Sequence, residues 1–342
     1  MAYSTTSILK KLIEERVVDL RLNNAKTLTY LAAKGQVKAA TADNMYWNAV
    51  VSGSTVVGES MANAGSNQGT GDTVQANLSI GGFKFYHQFS VKRTDMVSAR
   101  TAGVGKLRQL FKVHVDSGIL ELRRKVNQAI WTGDGTTASA GMIGLNTVLD
   151  NAVSYAGISP VTYPLWQAIK DTNAANRALT RNLLYNLTTA QNINEVYSDV
   201  YYVNPVMAQT YQTLFDTIAG QYSIAGVEGS GRNTDLGYNV MSYQGSPVLS
   251  DPMTPLGLFA GFKTSEVELL TYDLSGADQG ELARMGQKDN FETISTADVD
   301  GLRVNVALLP ELNPGQVTFQ MFVVPQLKVA NRRFVQAVDK LL

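Results

Sequence analysis

"TVQANLSIGGFKFYHQFSVK" (residues 73–92) and "GKLRQLFKVHVDSGILELRRKVNQAIW" (residues 105–131) are the two stretches that decide the fold. In the first, apolar and polar residues alternate on both sides of a Gly81-Gly82 break, which predicts β-strands. In the second, apolar residues recur every three or four positions, which predicts one helix about 40 Å long. Gly118 weakens this helix by about 1 kcal/mol relative to alanine, and the turn sequence TGDG at residues 132–135 ends it.

A glycine-rich, charge-poor segment, NAGSNQGTGD at residues 63–72, lies immediately before the alternating residues 73–92. Residues from about 49 to 97 therefore predict a long two-stranded ribbon with a glycine-rich tip. A ribbon of two strands is marginally stable alone in water, so we expect it to lie over another surface. Residues 7–23 predict an amphipathic helix, which must also dock elsewhere.

The rest of the chain predicts a mixture of helices and strands. Asn204 suits a helix cap and Pro205 a first helical position, so a helix begins there and ends at Gly220. Alternation in residues 302–308 and 317–323, on either side of an Asn-Pro-Gly turn, predicts a hairpin. The other predicted elements are a helix at 164–179 and strands at 196–203, 238–243 and 256–262.

The composition of the 342 residues is poor in charge. Charged residues make up 17% of the chain and hydrophobic residues 44%, whereas a typical domain is about 25% charged. Because interface cores are depleted in Lys, Glu and Asp, much of the surface could be buried against other copies; a neutral, solvated surface fits equally well. Lysine plus arginine and aspartate plus glutamate both number 29, which argues against a dedicated nucleic-acid binder.

The sequence offers little material for catalysis. It has no cysteine and two histidines, so disulfides, thiolate sites and histidine-based triads or metal sites are not expected. The run Gly103-Val-Gly105-Lys106 fails the phosphate-loop pattern. Glu266 and Glu268 indicate a solvated strand face. We predict no catalytic, cofactor-binding or metal residues, no secretory signal, no membrane span, and synthesis in the cytosol.

The order of the elements resembles the major capsid proteins of tailed double-stranded DNA bacteriophages, which share the Hong Kong 97-type fold. AIWTGDG at residues 129–135, leading to GLN at 144–146, is similar to the end of the family's spine helix. MSYQGSPVLSDPM at residues 241–253 is similar to a family strand that reaches a short G-x-P-V turn, before the strand at 256–262.

The resemblance implies an α+β chain of five regions. These are an N-terminal arm (1–48), an extended β-ribbon loop (49–100), a spine helix with the start of a peripheral domain (101–140), an axial domain (141–272), and peripheral-domain strands with a C-terminal tail (273–342).

The resemblance also implies a structural function: hexamers and pentamers of one chain assemble into an icosahedral virion shell. The shell would enclose double-stranded DNA without sequence-specific binding, and the ribbon would lie over the adjacent subunit. The candidate subunit contacts are Gly65, Gly69, Gly71, Lys84 and Phe85. A separate scaffolding protein, a portal and procapsid maturation are implied, and a decoration protein is left open. Some family members cross-link subunits through a lysine on this loop; Lys84 is the nearest candidate, and we do not predict the cross-link.

Two other functions remain open at this stage. An encapsulin-like nanocompartment shell shares the fold and encloses cargo enzymes instead of a genome. A monomeric polysaccharide-active enzyme with an extended hairpin would instead show a deep cleft with paired carboxylates and no shell.

Overall fold

The long helix predicted at residues 105–131 is confirmed as one continuous element, Val104–Thr132. The computed structural model describes residues 25–40, 42, 44–51, 73–80, 85–101, 104–136, 141–216, 241–272, 293–299, 302–308 and 315–342. Several predicted features lie outside the described residues, namely the helix at 7–23, the segment 63–72 with Gly65, Gly69 and Gly71, and Lys84.

Helices and strands are mixed along the described chain, in an α+β arrangement. The helices are α1 (Lys26–Ala33), α2 (Arg93–Thr101), α3 (Val104–Thr132), α4 (Leu145–Val148), α5 (Arg181–Asn194) and α6 (Pro205–Asp216). The strands are β1 (Val37–Ala40), β2 (Asn44–Val50), β3 (Thr73–Ser79), β4 (Phe85–Lys92), β5 (Ile169–Asp171), β6 (Val200–Val203), β7 (Met241–Tyr243), β8 (Ser246–Ser250), β9 (Phe259–Phe262), β10 (Val267–Tyr272), β11 (Thr293–Val299), β12 (Leu302–Leu308), β13 (Gln316–Val323), β14 (Pro325–Val329) and β15 (Val335–Val338). They form four sheets, in the orders β1-β10-β14, β11-β12-β13-β4, β5-β15-β9-β6-β8-β7 and β2-β3.

Helix α3 packs on the β11-β12-β13-β4 sheet. The predicted alternation of β4 is confirmed, since Phe89 and Val91 are buried while Gln88 and Ser90 are exposed. The ring of Phe89 stacks on that of His114 in α3, with centroids 5.4 Å apart. The predicted hairpin of β12 and β13 is also confirmed. The placement of β4 in the ribbon is wrong, because β4 pairs along its whole length with β13. Its apolar face packs on α3 and not on a ribbon partner.

Gly118 lies where α3 crosses this sheet most closely. A Cβ atom at this position would stand 2.7 Å from a ring carbon of His87 and 2.8 Å from the terminal methyl of Met321. Real Cβ atoms do not approach other atoms this closely, so the glycine that weakens the isolated helix is what allows helix and sheet to meet.

Substituting Gly118→Val is expected to destabilise the subunit by about 2 to 3 kcal/mol, because the added methyl groups overpack the contact with His87 and Met321. Equilibrium urea unfolding of the unassembled subunit measures the change. Gln128→Val is the matched control, since Gln128 lies at an exposed position of the same helix and should lose only a few tenths of a kcal/mol of helix propensity. Equal losses in the two variants would contradict this account.

Strands β2 and β3 form the stem of the predicted ribbon. They pair antiparallel from Asn44↔Ser79 to Val50↔Thr73, so the stem begins before the predicted start at residue 49. Its inner face packs on the chain's own core through Ala76 and Leu78, which are fully buried. The inner face of the stem therefore lies on its own chain, and the expectation that the ribbon lies over the adjacent subunit stays a prediction.

The middle of the chain forms most of the six-stranded sheet. Its helices and strands differ in part from those that the sequence predicts. The predicted helix at residues 164–179 is wrong: only Pro164–Trp166 make a single 3₁₀ turn, and β5 follows, paired in parallel with β15. The local sequence pattern at 164–179 fits a helix, but residues 169–171 form a strand because they pair with β15, which is far away in sequence. The helix of this region is α5, which begins after Thr180 and was not predicted. The sheet also takes in β15, from beyond the predicted axial region 141–272.

The remaining predictions for this region hold in part. Helix α6 is confirmed, and the Asn204 side chain accepts a hydrogen bond from the N–H of Val206 at 3.2 Å. Its predicted end at Gly220 lies outside the described residues. The strands predicted at 196–203, 238–243 and 256–262 are the shorter β6, β7 and β9. Three of the four residues of the predicted G-x-P-V turn belong to the start of β8. The turn before β8 is made by Gln244 and Gly245, which both have positive φ.

Candidate assembly surfaces

Phe85 is the single predicted contact residue that falls in the described part of the chain. It is the first residue of β4, pairs with Val323, and packs half-buried against the chain's own core. Its role in contacts between copies stays a prediction, as does that of Gly65, Gly69, Gly71 and Lys84.

The outer face of the ribbon stem is exposed and uncharged. Its side chains alternate with the buried ones along both strands, so one face of the stem points away from the body. The exposed positions are Asn44, Tyr46, Asn48, Val50, Thr73, Gln75, Asn77 and Ser79. Because charge depletion marks the core of protein interfaces, this face is a candidate surface for contact with another molecule.

The stem is fixed to the body by hydrogen bonds as well as by apolar packing. The indole N–H of Trp47 donates to the Ala330 carbonyl at 3.1 Å, and the Gln326 side chain donates to the Ser79 carbonyl at 2.9 Å. The N–H of Asn77 donates to the Ala156 carbonyl at 2.9 Å. The base of the ribbon is therefore held in a defined direction relative to the body.

A charge cluster connects β1, β10 and β14 beneath this stem. Glu268 accepts from Lys38 at 2.5 Å and from Lys328 at 3.1 Å, and the ammonium group of Lys328 also lies 5.5 Å from the centre of the Trp47 ring. Burial raises the pKa of Glu268, but the two lysine hydrogen bonds outweigh it, so the pKa of this carboxyl is lowered. The predicted solvated face is thus wrong for Glu268, which ties three strands together.

A fully buried carboxylate, Asp251, joins α1 to the loop that follows β8. One of its oxygens accepts from the backbone N–H of Thr27 at 3.1 Å and from the Thr27 hydroxyl at 2.6 Å. The Asn127 side chain of α3 donates to the same oxygen at 3.0 Å, and the N–H of Met253 donates to the other at 2.9 Å. Among the described residues no cation forms an ion pair with Asp251. We call Thr27, Asn127 and Asp251 the buried junction.

The buried junction supplies the N-terminal cap that α1 lacks. The residue before the helix, Ala25, has no side-chain acceptor, and the first N–H groups of a helix need one. Asp251 accepts from Thr27, and the Asn127 side-chain oxygen accepts from the N–H of Leu28 at 2.9 Å. These partners are 224 and 99 positions away in sequence, so the sequence alone gave no sign of α1 or of a role for Asp251.

A fully buried arginine, Arg332, fixes the loop that follows α4. Its guanidinium group donates to the carbonyl oxygens of Val148, Asp150 and Val153, the last at 3.0 Å. Burial lowers the pKa of Arg332 to about 10, which leaves the side chain cationic at neutral pH. The sequence did not single out this residue either, because nothing near it indicates burial.

No group of three or more His, Asp or Glu side chains in the described ranges is arranged to hold a metal ion. Both histidines pack between α3 and β4, where His114 stacks on Phe89 and His87 faces Gly118. None of the described helices has the length and apolar character to cross a bilayer.

Solved structures of protein shells are similar in fold to this chain and align with nearly its whole length. The capsid asymmetric unit of cyanophage A-1(L) matches with a TM-score of 0.78 at 22% identity, covering 98% of both chains. The capsid of a native GTA particle gives 0.60 at 10% identity, covering 99% of both chains. The chain has the Hong Kong 97-type fold. The SrpI encapsulin complex of Synechococcus elongatus PCC 7942 gives 0.54 at 10% identity, covering 100% of this chain and 96% of that one.

The fold inferred from the order of elements is therefore confirmed. No protein-family model and no curated protein matches the sequence, and the likeness to these shells lies in the fold.

Helix α3 ends beside two glycines, Gly133 and Gly144, whose backbones lie against each other. The N–H of Gly144 donates to the Gly133 carbonyl at 2.9 Å. A Cβ on Gly133 would stand 2.5 Å from the Met142 carbonyl oxygen, and one on Gly144 would stand 2.5 Å from that of Ala129. The TGDG and GLN runs that carried the resemblance thus have a steric explanation in this chain.

Proposed function

We propose that this chain is the major capsid protein of a tailed double-stranded DNA bacteriophage, a structural subunit that acts by self-assembly and not as an enzyme. The observation that supports the proposal is the match to the cyanophage A-1(L) capsid over 98% of both chains. The encapsulin match has the lower TM-score, 0.54 against 0.78, which favours a phage head over a nanocompartment.

The described surfaces suit repeated contacts between copies. The outer face of the ribbon stem carries no ionised group, so its desolvation costs less than that of a charged surface, and its amide and hydroxyl groups can form hydrogen bonds with a neighbouring copy. The stem is hydrogen-bonded to its own body, so it holds the ribbon in a direction fixed before assembly. The pre-organisation of a binding segment lowers the entropy lost on association.

The proposed regions are those of the sequence analysis: arm, ribbon loop, spine, axial domain and peripheral strands. In the proposed shell, hexamers and pentamers of the chain enclose double-stranded DNA without sequence-specific contacts. A net charge of zero is compatible with a lining that does not grip the genome. A separate scaffolding protein and a portal belong to the same proposal.

Expression of the chain, alone and together with the neighbouring genes of its genome, tests this function. Negative-stain microscopy and sedimentation should show closed shells or rings of subunits. Particles from the native source should contain double-stranded DNA and one portal vertex. Enclosed enzymes in place of DNA would favour the nanocompartment. A monomer under every expression condition would contradict both shell functions.

A further inference from the structure

Helix α5 presents an exposed face that carries no charge. Its large exposed side chains are Tyr185, with 63% of its surface accessible, and Ile193, with 76%. They lie eight residues apart, on the same side of the helix as Thr189. The full set of exposed positions on the helix is Asn182, Tyr185, Asn186, Thr189, Asn192 and Ile193. We call these six residues the α5 face.

The hydroxyl group at the centre of the α5 face is already satisfied within the helix. Thr189 donates to the Tyr185 carbonyl at 2.9 Å, and the neighbouring Thr188 donates to the Leu184 carbonyl at 3.1 Å. The hydroxyl hydrogen of Thr189 is therefore already donated within the helix, which lowers the cost of burying this group. The solvated face of a helix usually carries charged as well as polar residues, whereas the α5 face carries no charged residue.

Charged groups stand at the two ends of this face. Arg181 begins the helix and donates to the Leu214 carbonyl at 2.6 Å. At the other end Arg333 donates to the Asn194 side chain at 2.6 Å, and the exposed Glu195 ends the helix. An apolar, uncharged centre with a polar rim is the anatomy of a protein–protein interface.

We infer that the α5 face contacts a second copy of this chain in the assembled shell. A face without cations has no charge that attracts phosphate groups, and one without carboxylates has no charge that attracts a basic partner. Copies of a chain with 29 positive and 29 negative residues do not repel one another through net charge. The contact rests on the proposed function. In a ring of subunits it joins the α5 face of one copy to a different surface of the next.

Charge placed on the α5 face should block assembly without unfolding the subunit. We expect Ile193→Glu and Tyr185→Glu each to lower the yield of shells at least tenfold, measured by sedimentation and negative-stain microscopy. Their thermal unfolding should match that of the wild type, because both side chains are mostly exposed. The matched control is Val161→Glu, at a valine that is 73% exposed elsewhere on the chain and should assemble normally.

A single thiol gives a second readout, because the chain contains no cysteine. In Ile193→Cys, alkylation by a maleimide should be at least tenfold slower in assembled shells than in dissociated subunits. Shells formed normally by both glutamate variants, or a thiol at position 193 that reacts equally fast in both states, would overturn this inference and leave the proposed function standing. Loss of assembly in Val161→Glu as well would assign the effect to added charge in general and overturn it too. A wild-type chain that never assembles would overturn the proposed function itself.

Discussion

Asp251→Ala should lower the free energy of unfolding by about 4 kcal/mol, a large part of the 5 to 15 kcal/mol that typically stabilises a domain. The substitution leaves two donors of Thr27, the Asn127 side chain and the N–H of Met253 without their acceptor in a fully buried site. It also removes one of the two groups that cap α1. Urea unfolding of the unassembled subunit measures the loss, and amide exchange at Thr27 should become faster.

The conservative substitution separates charge from shape at the same site. Asp251→Asn keeps one acceptor oxygen but turns an N–H₂ group toward a neighbouring donor, so a smaller loss of about 1 to 3 kcal/mol is expected. Asp116→Ala is the matched control, since Asp116 lies exposed on α3 and should change stability by no more than about 0.5 kcal/mol. If Asp251→Ala behaves like this control, the buried junction does not stabilise the subunit.

Arg332→Ala is expected to cost about 3 to 5 kcal/mol, measured in the same way. The carbonyl oxygens of Val148 and Val153 lose the guanidinium donor, while that of Asp150 keeps only the N–H of Val153. The loss of a large buried side chain also leaves a cavity. Arg332→Lys should recover only part of the loss, because one ammonium group cannot reproduce the planar fork of donors.

Arg332→Met distinguishes the effect of the lost hydrogen bonds from the effect of the cavity. It fills most of the volume but donates no hydrogen bond, so a loss close to that of alanine assigns the effect to the unsatisfied carbonyls. The adjacent Arg333→Ala is the control, since Arg333 is only half-buried and its side chain bonds Asn194; a loss of about 1 kcal/mol or less is expected. Equal losses at positions 332 and 333 would contradict the account.

Local patterns in the sequence were sufficient to predict the helices and strands that have one apolar and one polar face. Helix α3 has an apolar stripe that the sheet covers, and β12 and β13 alternate around a strong turn signal. The order of such elements also led to the correct fold. For β4 the alternation was right but its partner was wrong, since the same strand pattern fits any neighbouring strand and the actual partner, β13, is far away in sequence.

The missed helices show where this reasoning fails. Helix α5 has apolar residues on both its buried and its exposed sides, so it lacks the contrast on which a periodic pattern depends. Helix α1 is capped by Asp251 and Asn127, which are far away in sequence. The helix expected at 164–179 gave way to β5, whose partner β15 lies more than 160 positions later.

Only part of the candidate contact surfaces could be predicted from the sequence. Low charge predicted that some surface would be buried against other copies, but composition does not say which residues share a face. The α5 face is defined only once the helix is known to pack on the six-stranded sheet. Glu268 was read as solvated, because its partners Lys38 and Lys328 lie on strands that only the fold brings together.

The position of β15 inside the six-stranded sheet, between β5 and β9, bears on how this protein is made. While the ribosome is still translating, both neighbours of β15 have emerged with their edges open, and they stay open until Val335–Val338 follow. Exposed edges recruit strands from other chains. A polypeptide interrupted before residue 335 is therefore prone to aggregation, and a nascent subunit completes this sheet only after β15 has been made.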